Sequence, residues 1–204
     1  MSFCADLAVE PLPMSKAPMG EKWLAECRKR AQWIRDGGLV LPPDEDGVLS
    51  SQVDERGHEL LAQINQLGFI TADSQEGQGT KRTLVRERAY VHGWLPKASL
   101  ERFLTAVNQT SGVVAWAVSP VGSYPSEANH VTSLPVTLAR SGKVETRTPM
   151  LGTAEEIAEQ AKLAKLGRFK GSIAMVDVVD AQWGRLAFQP GGLFMVVRDA
   201  LRSL

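Results

Sequence analysis

The 204-residue chain carries 23 Lys plus Arg against 23 Asp plus Glu, giving a formal net charge of zero, and 44% of its residues are hydrophobic. This balance removes non-specific electrostatic attraction to nucleic acid as a property of the whole chain, and no apolar run approaches the ~18 residues of a membrane-spanning helix. The length suits one sizeable domain that buries roughly 70% of its unfolded surface without staples.

Residues 1–20, with Pro11, Pro13 and Pro18 and no lasting periodicity, read as an extended N-terminal arm, and 21–204 as a single α+β domain. Met1 to Asp6 lacks the basic start and apolar run of a secretory leader. Cys4 and Cys27 fit no CxxC pair or Cys/His ligand spacing. A reduced, cytoplasmic protein is therefore expected, with a Cys4–Cys27 disulfide as the alternative.

A helix is predicted from Glu21 to Asp36, with Trp23, Leu24, Cys27, Ala31 and Ile34 on one face and Gly37-Gly38 ending it. Leu39 to Ser51 reads as a loop, in which Asp44-Glu45-Asp46 forms a solvated turn rather than a metal site. A second helix spans Asp54 to Gln66, with Leu60, Leu61 and Ile64 inward and His58 one turn before them. Leu100, Phe103, Leu104 and Val107 predict a third helix after Pro96, and Val113 to Val118 a largely apolar strand. A loop over 119–133 contains His130. Leu134–Arg140 and Lys143–Thr148 form a hairpin across Ser141-Gly142. Thr153 and Glu156 fit a capping box for a fourth helix, Ile173 to Val179 is a strand interrupted by Asp177, and a last helix follows Pro190-Gly191-Gly192. Arg88 to Asp180 thus has the order of a ferredoxin-like βαββαβ core, a two-layer sandwich with its helices on one face, extended by an N-terminal strand and flanking helices.

The densest polar stretch lies at Thr71 to Glu76, after a short apolar strand and before the alternating strand Arg86 to Leu95. It is read as the connecting loop of an antiparallel pair. Gly68-Phe69-Ile70-Thr71, Ser74-Gln75 and Gly77, followed by Arg88-Ala89-Tyr90-Val91-His92-Gly93-Trp94, resemble an uncharacterised domain family. In that family a Gly-Phe-(Ile/Leu)-Thr-x-x-Ser-Gln-x-Gly strand end precedes an Arg-(Ala/Pro)-x-(Val/Ile)-x-Gly-(Phe/Trp) strand. Glu76 and Glu87 depart from its pattern. The resemblance implies that the polar hairpin is a family feature and brings no activity with it.

Three functions fit. The first is a non-enzymatic accessory or inhibitor-type binding protein, of a kind that phages also encode. It would engage a small anionic ligand or a protein partner through the 71–92 hairpin and the 119–133 loop, with Thr71, Asp73, Ser74, Gln75, Arg88, Tyr90 and His92 as binding residues and a homodimer formed through a sheet edge. The second is a small hydrolase or transferase acting on a phosphate-bearing substrate. Asp73 or Glu76 would be its base, Ser74 its nucleophile, His92 its proton shuttle and Arg88 its anion clamp. The third is an RNA-binding sheet presenting Tyr90, Trp94 and Trp116. His58, His92 and His130 lack metal-ligand spacing, so neither metal nor cofactor is expected. Gly77 to Arg82 lacks the phosphate-loop register, although Lys81, Arg82, Arg86 and Arg88 form a local basic strip.

Overall fold

A computed structural model describes residues 18–38, 55–78, 86–118, 134–148 and 154–204. The expectations for residues 1–17, including Cys4, for the 39–51 loop and its acidic triplet, for Lys81 and Arg82, for the 119–133 loop with His130, and for Thr153 lie outside these residues. The described helices are α1 (Pro18–Arg35), α2 (Glu55–Gln66), α3 (Lys97–Asn108), α4 (Ala154–Leu163) and α5 (Leu193–Arg202). The strands are β1 (Ile70–Glu76), β2 (Arg86–Glu87), β3 (Ala89–Pro96), β4 (Val113–Val118), β5 (Leu134–Leu138), β6 (Val144–Thr148) and β7 (Ile173–Asp180).

The predicted apolar stripes are largely the buried ones, with Leu24, Leu60 and Leu104 half-buried. Trp23, Cys27, Ala31 and Ile34 on α1, Leu100, Phe103 and Val107 on α3, and Leu193, Phe194, Val197, Ala200 and Leu201 on α5 all face inward. Helical spacing places each set on one side, and burying that side is what stabilises helices too short to persist alone. Cys27 is a free, fully buried thiol whose pKa is pushed far up by burial.

The main sheet has the order β1-β3-β7-β4, with every neighbouring pair antiparallel. β3 and β4 consequently run parallel, joined by α3, with β7 inserted between them: a split βαβ unit. The chain is α+β, as its strand and helix pattern predicts, but the membership of the sheets differs. β5 and β6 leave the main sheet and form a second one, β2-β5-β6, while β1 extends the first at its edge, as expected of the N-terminal strand. The layering differs too. α2, α3 and α5 pack on one face of the main sheet, against Val91, Leu95, Ala115 and Val176. α4 and the start of α1 pack on the opposite face, against Ile70, Trp94 and Met175. The alternation within β3 and β7 could not reveal this, because all eight residues of each strand are buried. That is the signature of a strand covered on both faces.

Side chains from two helix ends close the outer edges of the main sheet. Asn65 of α2 accepts the Thr71 amide through Oδ1 at 3.1 Å and donates through Nδ2 to Thr71 Oγ1 and Leu61 O, each at 2.8 Å. Asn108 of α3 takes both backbone groups of Ala115 in β4, accepting from N at 2.8 Å and donating to O at 3.1 Å. The Asn108 carboxamide stands in for one residue of a missing strand, while that of Asn65 takes the amide and the hydroxyl of Thr71. Asn65 is fully buried, so Asn65→Ala is expected to cost about 1–3 kcal/mol by orphaning buried polar groups. Urea denaturation at constant m-value checks this.

Candidate functional site

The second face of the main sheet carries a polar row that crosses all four strands. In register, Asp73 of β1 lies beside His92 of β3, His92 beside Asp177 of β7, and Asp177 beside Trp116 of β4. A bulge in β1 between Thr71 and Asp73 sets which side chains join it. Ile70 pairs with Trp94, Thr71 with Gly93 and then Asp73 with His92, so Ala72 is the extra residue. Asp73 and Gln75 thereby share the His92 face, whereas Thr71 and Ser74, paired with Gly93 and Val91, face the other layer.

The polar residues of 71–76 therefore sit in a strand and not in a loop. Tyr90 donates its hydroxyl hydrogen to Asp73 Oδ2 at 2.6 Å, and the Ser74 amide donates to Asp73 Oδ1 at 2.8 Å. His92 Nδ1 meets Asp177 Oδ1 at 2.9 Å, with the imidazole 7% and Asp177 1% exposed. Burial alone would pull the imidazole pKa down. The charge and hydrogen bond of Asp177, the charge of Asp73 and a hydrogen bond with Gln160 of α4 outweigh it, and the pKa stands above the ordinary histidine value. Burial, then the Asp73 charge and hydrogen bond, pushes the Tyr90 pKa far up, so Tyr90 is a neutral donor at physiological pH.

Gln75 fastens the two sheets together. Its Nε2 donates to Arg88 O at 2.9 Å and to Val136 O at 3.3 Å, and Thr137 Oγ1 approaches its Oε1 at 3.5 Å. Arg88 lies at the point where the chain passes from β2 to β3. Its Nε donates to Ala181 O at 3.1 Å and its Nη1 to Pro135 O at 3.0 Å, while its guanidinium lies 4.2 Å over the Trp183 ring. Arg86, exposed, approaches the same ring at 5.6 Å. Asp180 is occupied by Arg185, through Nε to Oδ2, and by the Gln182 amide.

The residues expected to act together thus fall into three groups. Asp73, Gln75, Tyr90 and His92 share one face, on which Tyr90 and His92 are buried and Asp73 and Gln75 half-buried. Thr71 and Ser74 face the opposite layer, where Thr71 binds Asn65 and Ser74 Oγ has no hydrogen-bond partner among the described residues. Arg88 belongs to a separate cationic–aromatic face. Ser74 cannot be activated by His92 across the sheet, which removes the nucleophile–base pair on which the hydrolytic reading rested. Tyr90 and Trp94 are 8% and 1% exposed, so they offer no stacking platform for RNA bases.

Asp177, Gln160 and Trp183 complete these arrangements and were not singled out as site residues from sequence, whereas Trp116 was named only as an RNA-stacking aromatic. Asp177 did leave a signal, because a carboxylate interrupting an apolar strand needs a cationic partner if that strand is buried. Trp183, in the segment after β7, left none. Among the described residues no group of His, Cys, Asp and Glu could hold a metal ion, and no helix is long and apolar enough to cross a membrane.

Among curated proteins no match is found. A family model described as a domain of unknown function (DUF6919) matches residues 29–203, which takes in every described strand, α2 to α5 and the end of α1. On that coverage the chain belongs to the DUF6919 family of domains of unknown function.

Proposed function

We propose that this protein is a non-enzymatic, cytoplasmic binding protein that engages an anionic group, on a small ligand or a protein partner, through the Arg86–Arg88–Trp183 face at the foot of the hairpin. The observation that carries this reading is the placement of two guanidinium groups over one indole ring, at 4.2 and 5.6 Å. A guanidinium over an indole ring can still use its in-plane donors on a carboxylate or phosphate. Arg88 commits Nε and Nη1 to Ala181 O and Pro135 O, so exposed Arg86 and the remaining Arg88 donors would meet the anion. Burial, with Arg86 adding to it and Asp180 opposing it, disfavours the charge on Arg88. The nearby Asp180 is already bonded to Arg185. An incoming anion would relieve that imbalance.

The buried row supports the non-enzymatic half of the proposal. Asp73 is held by Tyr90 and Ser74, and His92 by Asp177 and Gln160. These groups bind one another across layers, which is the behaviour of a structural polar network. A hydrolase or transferase at the hairpin would keep His92 and Asp177 as base and orienting acid but would need a nucleophile other than Ser74.

The test is a titration with inorganic phosphate and with an acidic peptide, followed by NMR at the Trp183 indole N–H. Binding is expected to perturb that resonance. Arg86→Ala combined with Arg88→Lys is expected to weaken binding roughly 10- to 100-fold, the equivalent of one charge-assisted contact. An indole resonance indifferent to both anions would end this reading.

A further inference from the structure

The outer edges of the two sheets are treated differently. In the main sheet, β1 is capped at Thr71 by Asn65 and β4 at Ala115 by Asn108. In the second sheet, β2 is two residues long, and both backbone groups of Glu87 are engaged, its amide by Gln78 O at 2.6 Å and its carbonyl by the Gly184 amide at 2.8 Å. β6 forms the remaining edge. Among the described residues, no side chain or backbone group bonds its outer side. Glu145 and Thr146 of β6 are both exposed, at a point where the β5–β6 register is irregular. Among the described residues, then, nothing covers Glu145 and Thr146 or pairs with the outer edge of β6. A small sheet with such an outer strand gains stability from another strand.

We propose that β6 pairs antiparallel with β6 of a second copy of this chain, centred on Thr146. The sequence Val144-Glu145-Thr146-Arg147-Thr148 is self-complementary in that register. Position 145 falls opposite position 147 of the other copy, acidic against basic, and position 144 opposite 148. Two-fold symmetry repeats each pairing, and no like charges meet. Other registers lose this match. The pairing joins two three-stranded sheets into one, with the order β2-β5-β6-β6-β5-β2. It carries the Arg86 strand of each copy at opposite ends, so the dimer would present two anion-binding faces to a partner bearing two acidic sites. The dimer does not depend on the anion-binding reading, and the two can fail separately.

Sedimentation velocity over a wide concentration range tests it directly. Wild-type protein is expected to move from the 22.2 kDa chain mass towards twice that value as concentration rises. Glu145→Arg, which sets like charges opposite one another twice, is expected to weaken association by roughly tenfold or more. Adding Arg147→Glu to it restores the match and the dimer. Thr146→Cys supplies a readout that tolerates a poorly folded charge variant: antiparallel pairing brings the two Cα atoms within about 4.5–5.5 Å, inside disulfide range. Oxidation is then expected to link Thr146→Cys chains, and not Ser141→Cys chains. A single 22.2 kDa species at every concentration would overturn the proposal. So would a dimer indifferent to Glu145→Arg, a dimer not regained in the charge swap, or the absence of a linked Thr146→Cys dimer.

Discussion

Replacing Asp177 with alanine is expected to destabilise the fold by about 3–5 kcal/mol, the cost of removing one partner from a buried ion pair. The loss is large because nothing else can hydrate what remains. His92, 7% exposed, would keep only Gln160 and the more distant charge of Asp73. A domain of this size has a total stability of about 5–15 kcal/mol, so the variant would sit near its unfolding threshold. Asp177→Asn keeps a hydrogen-bond acceptor and is expected to lose less. The pH dependence follows from the direction of the His92 shift. Its folded pKa lies above the ordinary value, so the folded state holds the proton more tightly than the unfolded chain. The stabilisation it contributes is fully present below the unfolded value of about 6.5 and is lost as pH rises through the folded pKa. Thermal unfolding from pH 6 to alkaline conditions is expected to show a falling Tm in wild type and a flatter profile in His92→Gln. Equal slopes in the two proteins would show that His92 is not the titrating group.

The second large effect is expected at Gly93, whose substitution by alanine would disturb both layers at once. A Cβ on Gly93 would overlap the Ile70 carbonyl oxygen and the Phe69 ring, and would lie 2.9 Å from Thr71 Cα. Two of these three obstacles are backbone atoms of the neighbouring strand and cannot rotate away. Overpacking in a core ordinarily costs about 1–3 kcal/mol. The upper end or beyond is expected here, because β1 would have to move away from β3 at the residue pair next to its bulge. The same displacement would pull Thr71 from Asn65 and Asp73 from Tyr90. Guanidinium denaturation of Gly93→Ala checks the magnitude. A loss below about 1 kcal/mol would mean that β1 yields easily.

What the sequence disclosed followed from periodicity. The faces of α1, α3 and α5 were legible because burial repeats every three or four residues, and the β5–β6 hairpin because Ser141-Gly142 marks its turn. Gly142 indeed has φ of +81°. Which strands share a sheet was not legible. Arg88 sits in an alternating run, yet the chain changes sheets there, a decision made by the carbonyls of Pro135, Val136 and Ala181 far along the chain. The candidate site was half legible for a similar reason. Asp73, Tyr90 and His92 were selected as polar groups in an apolar setting, but the bulge that turns Ser74 away from them adds one residue without leaving a glycine or proline to mark it. Trp183 was overlooked because a single aromatic residue in an irregular segment has no period to betray its partners.

The asparagine caps have a consequence for how the protein can fail. Both lie at the ends of helices: Asn65 is the penultimate residue of α2 and Asn108 the last of α3. Terminal turns are the least stable part of a helix and open without the rest of the molecule. Fraying of one such turn would bare a sheet edge while the core stays folded, leaving a nearly native molecule with an open template for another strand. Aggregation of this protein would then begin from local opening at a helix end and would track the population of frayed molecules more closely than that of unfolded ones.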